Sequence, residues 1–408
     1  MLMTLIPLFD ENMVVRAYSL FTQKTNVFLN TRKLGTGEYD GVGRVEGFEM
    51  INSMGIGTLS SDKEIFIPIN KFSLFSKLEE EKCDAPHGRI AFIIDNTILP
   101  EEMYVNRLLE LKKEGYKLAI RKLEVKQYQQ YEEILKLVDY MFLDYQKINI
   151  SSARIFFSKK YPQIKLCAGN IDTYETFEKL KAEGGYQFYE GAFYRVPVTK
   201  GKHDVAPLKI NYIELLNMVN KVDFELTEVA KVIGRDTALA ISLLKVVNKI
   251  ARNSEITSIR YAAAMLGQRE LKRWINTVVA RKMYADKPNE VVRLSLLRAK
   301  FAENLSKYFE LSLKSQELFL MGLFSVLDLI LEKPMEEALK IIKVSKEIEE
   351  VLIRKEGPFA PVYDFMLQYE TANWSEVSRV MLLRNLAIDD IQSAYVNALE
   401  WYRDLFME

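Results

Sequence analysis

The stretch RIAFIIDNTILPEEMYVNRLLELKKEGYKLAIRKL, Arg89–Leu123, has the pattern of a strand, a helix and a second strand. Its two ends, RIAFIID and YKLAIRKL, are short apolar runs, which are typical of buried strands. Between them, Pro100 and two glutamates begin an amphipathic helix, and Gly115 ends it. This strand–helix–strand order is the repeating unit of α/β proteins.

The same alternation runs through the chain as far as residue 199. The strand candidates are TLIPLF (Thr4–Phe9), VVRAYSLF, EIFIPI, RIAFIID, YKLAIRKL, DYMFLD, IKLCAG and YQFYEG. Further helical patterns between them are VEGFEMINSMG, FSLFSKLEEE, YQQYEEILKLV and TYETFEKLKAEGG. Strands and helices in this alternation predict an α/β barrel or an open doubly wound sheet, and the rhythm alone does not choose between them.

The pattern changes after residue 199. The segment PVTKGKHDVAPL, 197–208, carries proline, glycine and charge without a helical or strand period, so it predicts a linker. From Tyr212 onward almost every segment is helical, with Asp236, Ser258 and Ser315 as N-caps. We therefore predict a barrel at 1–199, a linker at 200–211 and an all-α domain at 212–408.

The composition argues against several classes of function. Lys plus Arg and Asp plus Glu number 56 each, so the formal net charge is zero and no basic surplus indicates nucleic-acid binding. No apolar run reaches the roughly 20 residues that span a bilayer. Cys83 and Cys167 lie far apart and form no CxxC motif, which favours reduced thiols and a cytoplasmic protein.

The number and spacing of the histidines exclude one class of metal-dependent hydrolase. The chain contains two histidines, His87 and His203, one in each half. Hydrolases of the HD type bind their metal ions through several clustered His and Asp ligands. Two widely separated histidines cannot assemble such a site.

Seven short motifs occur in order along the first half. They are AYSLFT, PINKFSL, FIIDNTILP, AIRKL, FLD, GNID and Glu190-Gly191. In order and spacing they resemble the motifs of the EAL domain, a TIM-like α/β barrel that hydrolyses cyclic di-GMP. The resemblance implies a site at the carboxyl ends of the barrel strands, where the family holds Mg²⁺ or Mn²⁺ with carboxylates.

The motif residues depart from that pattern. Aligned on the motifs, the vestigial pocket consists of Ser19, Asn70, Asp95, Arg121, Lys122, Phe142, Asp144, Gly169, Asp172 and Glu190. Ser19 stands where the family has its namesake glutamate, and Phe142 stands in place of the catalytic lysine. Ile93 and Asn96 align with a Glu-x-x-Glu motif, and only a shift in register offers Asp95.

The largest departure is in AIRKL, where Arg121 and Lys122 replace a pair of aspartates. Two cations repel a divalent ion, so we predict no metal, no cofactor and no catalytic residue. The two cations could instead bind phosphate. Alternatively, one of them points away from the pocket, or both are solvated or paired with Glu124. Asn70 and Asp144 could be helix caps.

The second half contains two further motif stretches. They are LTEVAKVIGRDTALAISLLKVVN, Leu226–Asn248, and ITSIRYAAAMLGQRELKRWI, Ile256–Ile275. Both resemble the HDOD domain, through Asp236, Leu243, Leu244, Asn248, Ser258, Ile259, Leu266, Gly267 and Trp274. Downstream, RAKFAENL, LFLMGLFSVLDLILEKPMEEAL and VLIRKEGP resemble the tail found when this domain follows a degenerate EAL barrel. The HDOD family lacks the metal ligands of HD hydrolases.

These resemblances imply a non-catalytic signal-transduction or scaffold protein with a protein partner, and self-association as a homodimer is one arrangement open to it. A metal-free receptor for cyclic di-GMP is the first alternative. A residual phosphodiesterase built from Asn70, Asp95 and Asp144 is the second.

Overall fold

The computed structural model describes residues 1–24, 45–60, 63–76, 78, 83–195, 207–221, 223–250, 256–283, 289–342 and 344–404. The chain divides into two compact units, one formed by Met1–Val196 and Asp364–Glu408 and the other by Pro197–Tyr363. His203 and residues 200–206 of the predicted linker lie outside the described part.

A closed barrel forms the centre of the first unit. In the described residues its strands are β1 Leu2–Phe9, β2 Val15–Gln23, β3 Glu64–Pro68, β4 Ile90–Ile94, β5 Lys117–Ile120, β6 Tyr140–Asp144, β7 Lys165–Gly169 and β8 Phe188–Tyr189. They pair in chain order, and β8 closes on β1. β1 is antiparallel to β2 and β8, whereas the other pairs are parallel. The barrel confirms the predicted α/β-barrel fold.

Helices connect the strands. Those of the first 195 residues are α1 Glu46–Met54, α2 Ile56–Ser60, α3 Glu102–Lys113, α4 Glu132–Leu135, α5 Ile150–Lys160 and α6 Tyr174–Glu183. Short 3₁₀ turns lie at Ser73–Phe75, His87–Arg89, Val125–Gln127 and Phe193–Arg195. The sequence pattern missed α5, because exposed Ile155 and Phe156 next to buried Phe157 obscure its helical period. Asn149 caps α5 by accepting a hydrogen bond from the Ser152 backbone N–H at 3.0 Å.

Alternate strand residues fill the barrel. The interior cluster consists of Leu8, Ala17, Phe66, Ala91, Ile93, Ala119, Tyr140, Phe142, Cys167 and Phe188. Since side chains alternate between the two faces of a strand, the next residue of the same parity also faces inward. These residues are Ser19 within β2 and, at or just beyond the carboxyl ends of the later strands, Asp95, Arg121, Asp144, Gly169 and Glu190. The strand period thus directs most of the predicted pocket towards one end of the barrel, here called the mouth.

A polar contact lies at the opposite end of the barrel. The Tyr140 hydroxyl donates to Glu64 Oε2 at 3.1 Å, and Lys117 Nζ donates to the same oxygen at 3.0 Å. Burial, together with the Glu64 charge, raises the pKa of Tyr140. This end of the barrel therefore holds a hydrogen-bonded ion pair between Lys117 and Glu64.

The second unit is helical throughout its described part. Its helices are α7 Pro207–Val219, α8 Leu226–Ile233, α9 Thr237–Ile250, α10 Ile259–Met283, α11 Asn289–Leu305, α12 Ser315–Phe324, α13 Leu327–Leu331, α14 Met335–Ile341 and α15 Lys346–Arg354. Gly267 interrupts α10 with a φ of 72°, at the position where the sequence predicts a helix stop. Within the described residues, no helix combines the length and apolar character that crossing a bilayer requires.

The last three helices are α16 Ala360–Glu370, α17 Trp374–Leu383 and α18 Ile388–Asp404. Residues 364–408 belong to the barrel unit. The Met3 backbone N–H donates to the Tyr369 hydroxyl at 3.3 Å, and Gln23 Nε2 donates to Ser378 Oγ at 2.8 Å. The sequence-based division placed this segment with the helical half, because a helical period does not specify which neighbour the helix contacts.

Candidate functional site

An ion pair lies at the barrel mouth. Arg121 Nη2 donates to Glu190 Oε2 at 3.0 Å, and the two side chains are 17% and 13% exposed. Ser19 Oγ donates to the same carboxylate oxygen at 3.5 Å. Three residues, one within β2 and two just after β5 and β8, therefore meet, and the single cation among them neutralises the single carboxylate.

Two aromatic rings cover the guanidinium group of this pair. Its central carbon lies 4.5 Å from the ring centroid of Phe142 and 5.4 Å from that of Phe21, within the range of a cation–π interaction. Phe142 packs edge-on against Phe66 at 5.5 Å, so its ring is continuous with the barrel core. Arg121 Nε is buried and has no hydrogen-bond partner in the described residues.

A glycine fixes the position of Glu190. The Glu190 backbone N–H donates to the Ala168 carbonyl at 2.8 Å, and its carbonyl accepts from Ile171 N–H at 3.1 Å. At Gly191, which has a φ of 153°, an added Cβ would lie 2.2 Å from the Ile171 carbonyl oxygen. Only glycine allows this approach of the two backbones, which holds the Glu190 carboxylate towards Arg121.

The Lys122 side chain does not join the Arg121–Glu190 ion pair, although Lys122 follows Arg121 directly in the sequence. Its φ of 60° ends the strand, and its Nζ lies 3.5 Å from Asp95 Oδ2 with 63% of the side chain exposed. Burial alone would raise the pKa of Asp95, but hydrogen bonds from Thr97 and the charge of Lys122 outweigh it and lower the pKa. The Arg–Lys doublet is therefore split between two carboxylates. Glu124, considered as a partner for both cations, pairs instead with Lys126 at 2.7 Å.

A second polar group follows β6 and β7. Asp144 Oδ1 accepts from the Gln146 backbone N–H at 3.0 Å, and Oδ2 accepts from Asn170 Nδ2 at 2.8 Å. The Gln146 side chain also donates to Asp172, so Gln146 bridges the two aspartates. Gly169 lies opposite Asp144 in the β6–β7 ladder and supplies no side chain.

Asn70 has a local structural contact. Its Oδ1 accepts hydrogen bonds from the backbone N–H groups of Phe72 at 2.8 Å and Ser73 at 3.0 Å. These bonds stabilise the beginning of the 3₁₀ turn Ser73–Phe75. The amide oxygen at the position of the family's metal-binding asparagine is therefore engaged by its own loop.

The residues at the mouth do not fit a divalent metal ion. Mg²⁺ and Mn²⁺ take oxygen ligands, mostly carboxylates. Here the Glu190 carboxylate binds a guanidinium group, Asp95 binds Thr97 and Lys122, and Asp144 binds Gln146 and Asn170. Across the described residues, no three His, Cys, Asp or Glu side chains are grouped as a metal site.

Sequence reasoning missed several contacting residues. Phe21, Thr97, Gln146 and Asn170 each contact a residue of the predicted pocket. Phe21 could have been found, because it lies two residues after Ser19 on β2 and therefore shares its face. The others are in loops after the strands, where no period indicates which way a side chain points.

The HDOD-like motif residues make structural contacts in the second unit. Asp236 Oδ1 accepts from the backbone N–H groups of Ala238 at 2.9 Å and Leu239 at 3.0 Å, and so caps α9. Asn248 pairs with the backbone of Ile256, accepting from its N–H at 2.7 Å and donating to its carbonyl at 3.0 Å. Ser258 Oγ accepts from Tyr261 N–H at 3.3 Å. These residues cap and connect helices.

Comparison with known proteins finds a family match in the second half of the chain and two relatives that cover most of its length. The family model of the HDOD domain matches residues 206–354. The cyclic di-GMP phosphodiesterase CdgJ of Vibrio cholerae is 25% identical over 358 residues, which cover 86% of this chain and 82% of that protein. The uncharacterized protein YuxH of Bacillus subtilis is 27% identical over 413 residues, which cover 98% and 97% of the two chains.

One solved structure is similar to part of this chain. A standalone EAL protein of Vibrio cholerae O395, bound to cyclic di-GMP, aligns with a TM-score of 0.36 and 15% identity over 47% of this chain and 89% of that chain. The HDOD match at 206–354 contains the motif residues Asp236 to Trp274. In this chain a closed eight-stranded barrel is followed by residues 206–354, which match the HDOD domain, so the order of its two parts is similar to the EAL–HDOD arrangement.

Proposed function

We propose that this protein is a non-catalytic signal-transduction or scaffold protein whose barrel derives from a cyclic di-GMP phosphodiesterase. The observation that carries the proposal is the Arg121–Glu190 ion pair, covered by the rings of Phe21 and Phe142. Similarity to CdgJ, a protein named as a cyclic di-GMP phosphodiesterase, supports the derivation.

The chemistry of the mouth supports the absence of catalysis. Metal-assisted hydrolysis of a phosphodiester needs ions that activate water and stabilise the leaving oxygen. At this mouth a guanidinium group neutralises the one carboxylate that it contacts. Phe142, in the place of the family's lysine, has no group that can orient water or transfer a proton.

A phosphodiesterase assay tests this proposal. The purified full chain is incubated with cyclic di-GMP and Mn²⁺, and linear pGpG is measured by chromatography, with CdgJ assayed in parallel. We expect pGpG from CdgJ and none from this chain. Turnover that disappears in the Asp144→Ala variant would refute the proposal and support a residual phosphodiesterase that uses Asn70, Asp95 and Asp144.

A metal-free cyclic di-GMP receptor is the second candidate function. The observation that favours it is the buried Arg121 Nε, which keeps a free donor beside the pair with Glu190. Arginine binds phosphate oxygens through two parallel hydrogen bonds, so a phosphate that displaced Glu190 would find both donors.

Calorimetric titration with cyclic di-GMP distinguishes the receptor from the scaffold. A receptor should lose binding in Arg121→Gln and keep it in the matched Lys122→Gln variant, which removes the same charge from an exposed position. Absence of heat at high micromolar nucleotide, or equal loss in both variants, would refute the receptor. The scaffold proposal also implies a protein partner, and light scattering on the purified chain tests self-association as a homodimer.

A further inference from the structure

A small cavity lies in the helical unit. Its volume is about 50 Å³, and helices α10, α11 and α12 line it. The lining residues are Arg269, Lys272, Arg273, Asn276, Glu303, Ser315, Gln316 and Phe319.

The charges around this cavity favour an anion. Arg269, Lys272 and Arg273 all come from α10, and neither Lys272 nor Arg273 forms an ion pair within 4.0 Å in the described residues. The Glu317 carboxylate lies near enough to attract the charge of Lys272, but it pairs with Lys314 at 2.9 Å. The single acidic residue of the lining, Glu303, is held by Lys300 at 2.6 Å. The first two residues of the ten-residue helix α12, Ser315 and Gln316, also line the cavity, and the Ser315 N–H already donates to the Ser312 carbonyl of the preceding 3₁₀ turn. The N-terminus of a helix attracts anions, so both features act in the same direction.

The buried side-chain amide of Asn276 adds a second requirement for the occupant of the cavity. Asn276 is 3% exposed, lines the cavity, and its Oδ1 has no hydrogen-bond partner in the described residues. A buried acceptor without a donor is unfavourable, and an occupant with a hydrogen to donate removes that cost. The cavity therefore suits an anion that is also a hydrogen-bond donor.

The volume limits the size of the occupant. Both volumes count the space that the centre of a water-sized sphere can occupy. A single water molecule needs about 10–15 Å³ of this space, so 50 Å³ holds a group of about four or five heavy atoms. This corresponds to one tetrahedral oxyanion and is far too small for a dinucleotide.

We propose that this cavity binds inorganic hydrogen phosphate. The cations of α10 and the N-terminus of α12 contact its charged oxygens, and Asn276 accepts a hydrogen bond from its P–OH group. Sulfate has the same shape and charge but no proton at neutral pH. A phosphate monoester has a second pKa of about 6, so its terminal group also lacks the proton at pH 8.

Calorimetry with the full chain at pH 8 and constant ionic strength tests the site. Potassium phosphate, potassium sulfate and methyl phosphate are titrated separately. An unsatisfied buried acceptor costs about 1–3 kcal/mol, so we expect sulfate and methyl phosphate to bind at least about fivefold more weakly than phosphate. Equal affinity for sulfate, tighter binding of methyl phosphate, or no heat with phosphate would overturn the proposal.

Three variants separate the contributions to binding. Lys272→Gln should weaken phosphate and sulfate alike, whereas Asn276→Leu should reduce phosphate affinity to the level of sulfate. Lys231→Gln, which removes an exposed charge on α8 in the same unit, should change neither. If circular dichroism shows that Asn276→Leu is unfolded, a titration of the unaltered chain with arsenate takes the place of that variant. Hydrogen arsenate keeps an As–OH group, so it should bind the unaltered chain like phosphate, and binding as weak as that of sulfate would contradict the role of Asn276.

Discussion

At the scale of single residues, the mouth is determined by which side chain follows each strand. Arg121 and Lys122 are adjacent in the sequence, yet Arg121 pairs with Glu190 and Lys122 pairs with Asp95. The backbone at Lys122 has a positive φ of 60°, so this residue no longer has the extended conformation of the strand. A doublet of charges therefore became two separate ion pairs.

Replacing Arg121 with alanine should destabilise the barrel unit. The change leaves the Glu190 carboxylate largely buried without a counter-charge, which costs about 3–5 kcal/mol. Urea unfolding followed by Trp374 and Trp401 fluorescence, in a Trp274→Phe chain, measures the loss. The Arg121→Ala/Glu190→Gln double variant removes the unpaired charge and should recover a large part of the stability; an equally unstable double variant would contradict the explanation.

A glycine gives a second prediction at this scale. Gly191→Ala places a Cβ 2.2 Å from the Ile171 carbonyl oxygen, so the β8 end must shift. We expect a loss of stability of at least about 2 kcal/mol. Gly88→Ala is the matched control, because its Cβ meets no atom within 4 Å. Similar unfolding midpoints for the two variants would show that the close approach at Gly191 is relieved without cost.

At the scale of elements, a side-chain cap marks the beginning of α9, whereas Ser315, predicted as a cap, is the first residue inside α12. Asp236 caps α9 through two backbone hydrogen bonds and also accepts from the Tyr212 hydroxyl of α7 at 2.8 Å. Burial, followed by this hydrogen bond and the Asp236 charge, raises the pKa of Tyr212 to about 12. One side chain thus links the beginning of one helix to its neighbour.

The raised pKa of Tyr212 predicts an alkaline loss of stability. The folded state holds the tyrosine proton more tightly, so this stabilisation is complete below about pH 10 and is lost as the pH rises towards 12. Asp236→Asn keeps a capping oxygen but removes the charge, and it should lower the pKa of Tyr212. Ultraviolet titration, compared with a Tyr212→Phe chain to isolate this tyrosine, measures the shift; an unchanged pKa would rule out the contribution of Asp236.

At the scale of the whole molecule, the division into two units does not follow the order of the chain. Residues 364–408 return to the barrel unit, and Tyr369, fully buried, packs between Tyr395 and Trp374. Its hydroxyl also accepts a hydrogen bond from the first barrel strand. The end of the chain therefore contributes to the stability of the unit that its beginning forms.

Two tyrosines on α16 test this division. Tyr369→Ala removes a fully buried ring from the barrel unit and should lower its stability by about 3–5 kcal/mol. Tyr363, six residues earlier, belongs to the helical unit, so Tyr363→Ala should leave the barrel transition unchanged. The Trp374 and Trp401 signal in the Trp274→Phe chain follows the barrel transition. If Tyr363→Ala lowered the stability of the barrel unit and Tyr369→Ala did not, the last helices would belong to the helical half.

The sequence by itself determined the types of element and the chemistry lost from the motifs. Apolar runs predicted the eight strands, and the motifs showed Ser19 and Phe142 where the family has acidic and basic groups. These features are local, because the period of a segment and the identity of a side chain are read without knowing their neighbours.

Tertiary structure alone decided how those parts combine. It closed the sheet into a barrel, made β1 antiparallel, and brought Arg121 to Glu190 across 69 positions of sequence. It also returned residues 364–408 to the barrel and left an unpartnered amide oxygen in a cavity lined by cations. The physical reason is that packing joins distant segments by shape and charge, and a local period records only which face of a segment is buried.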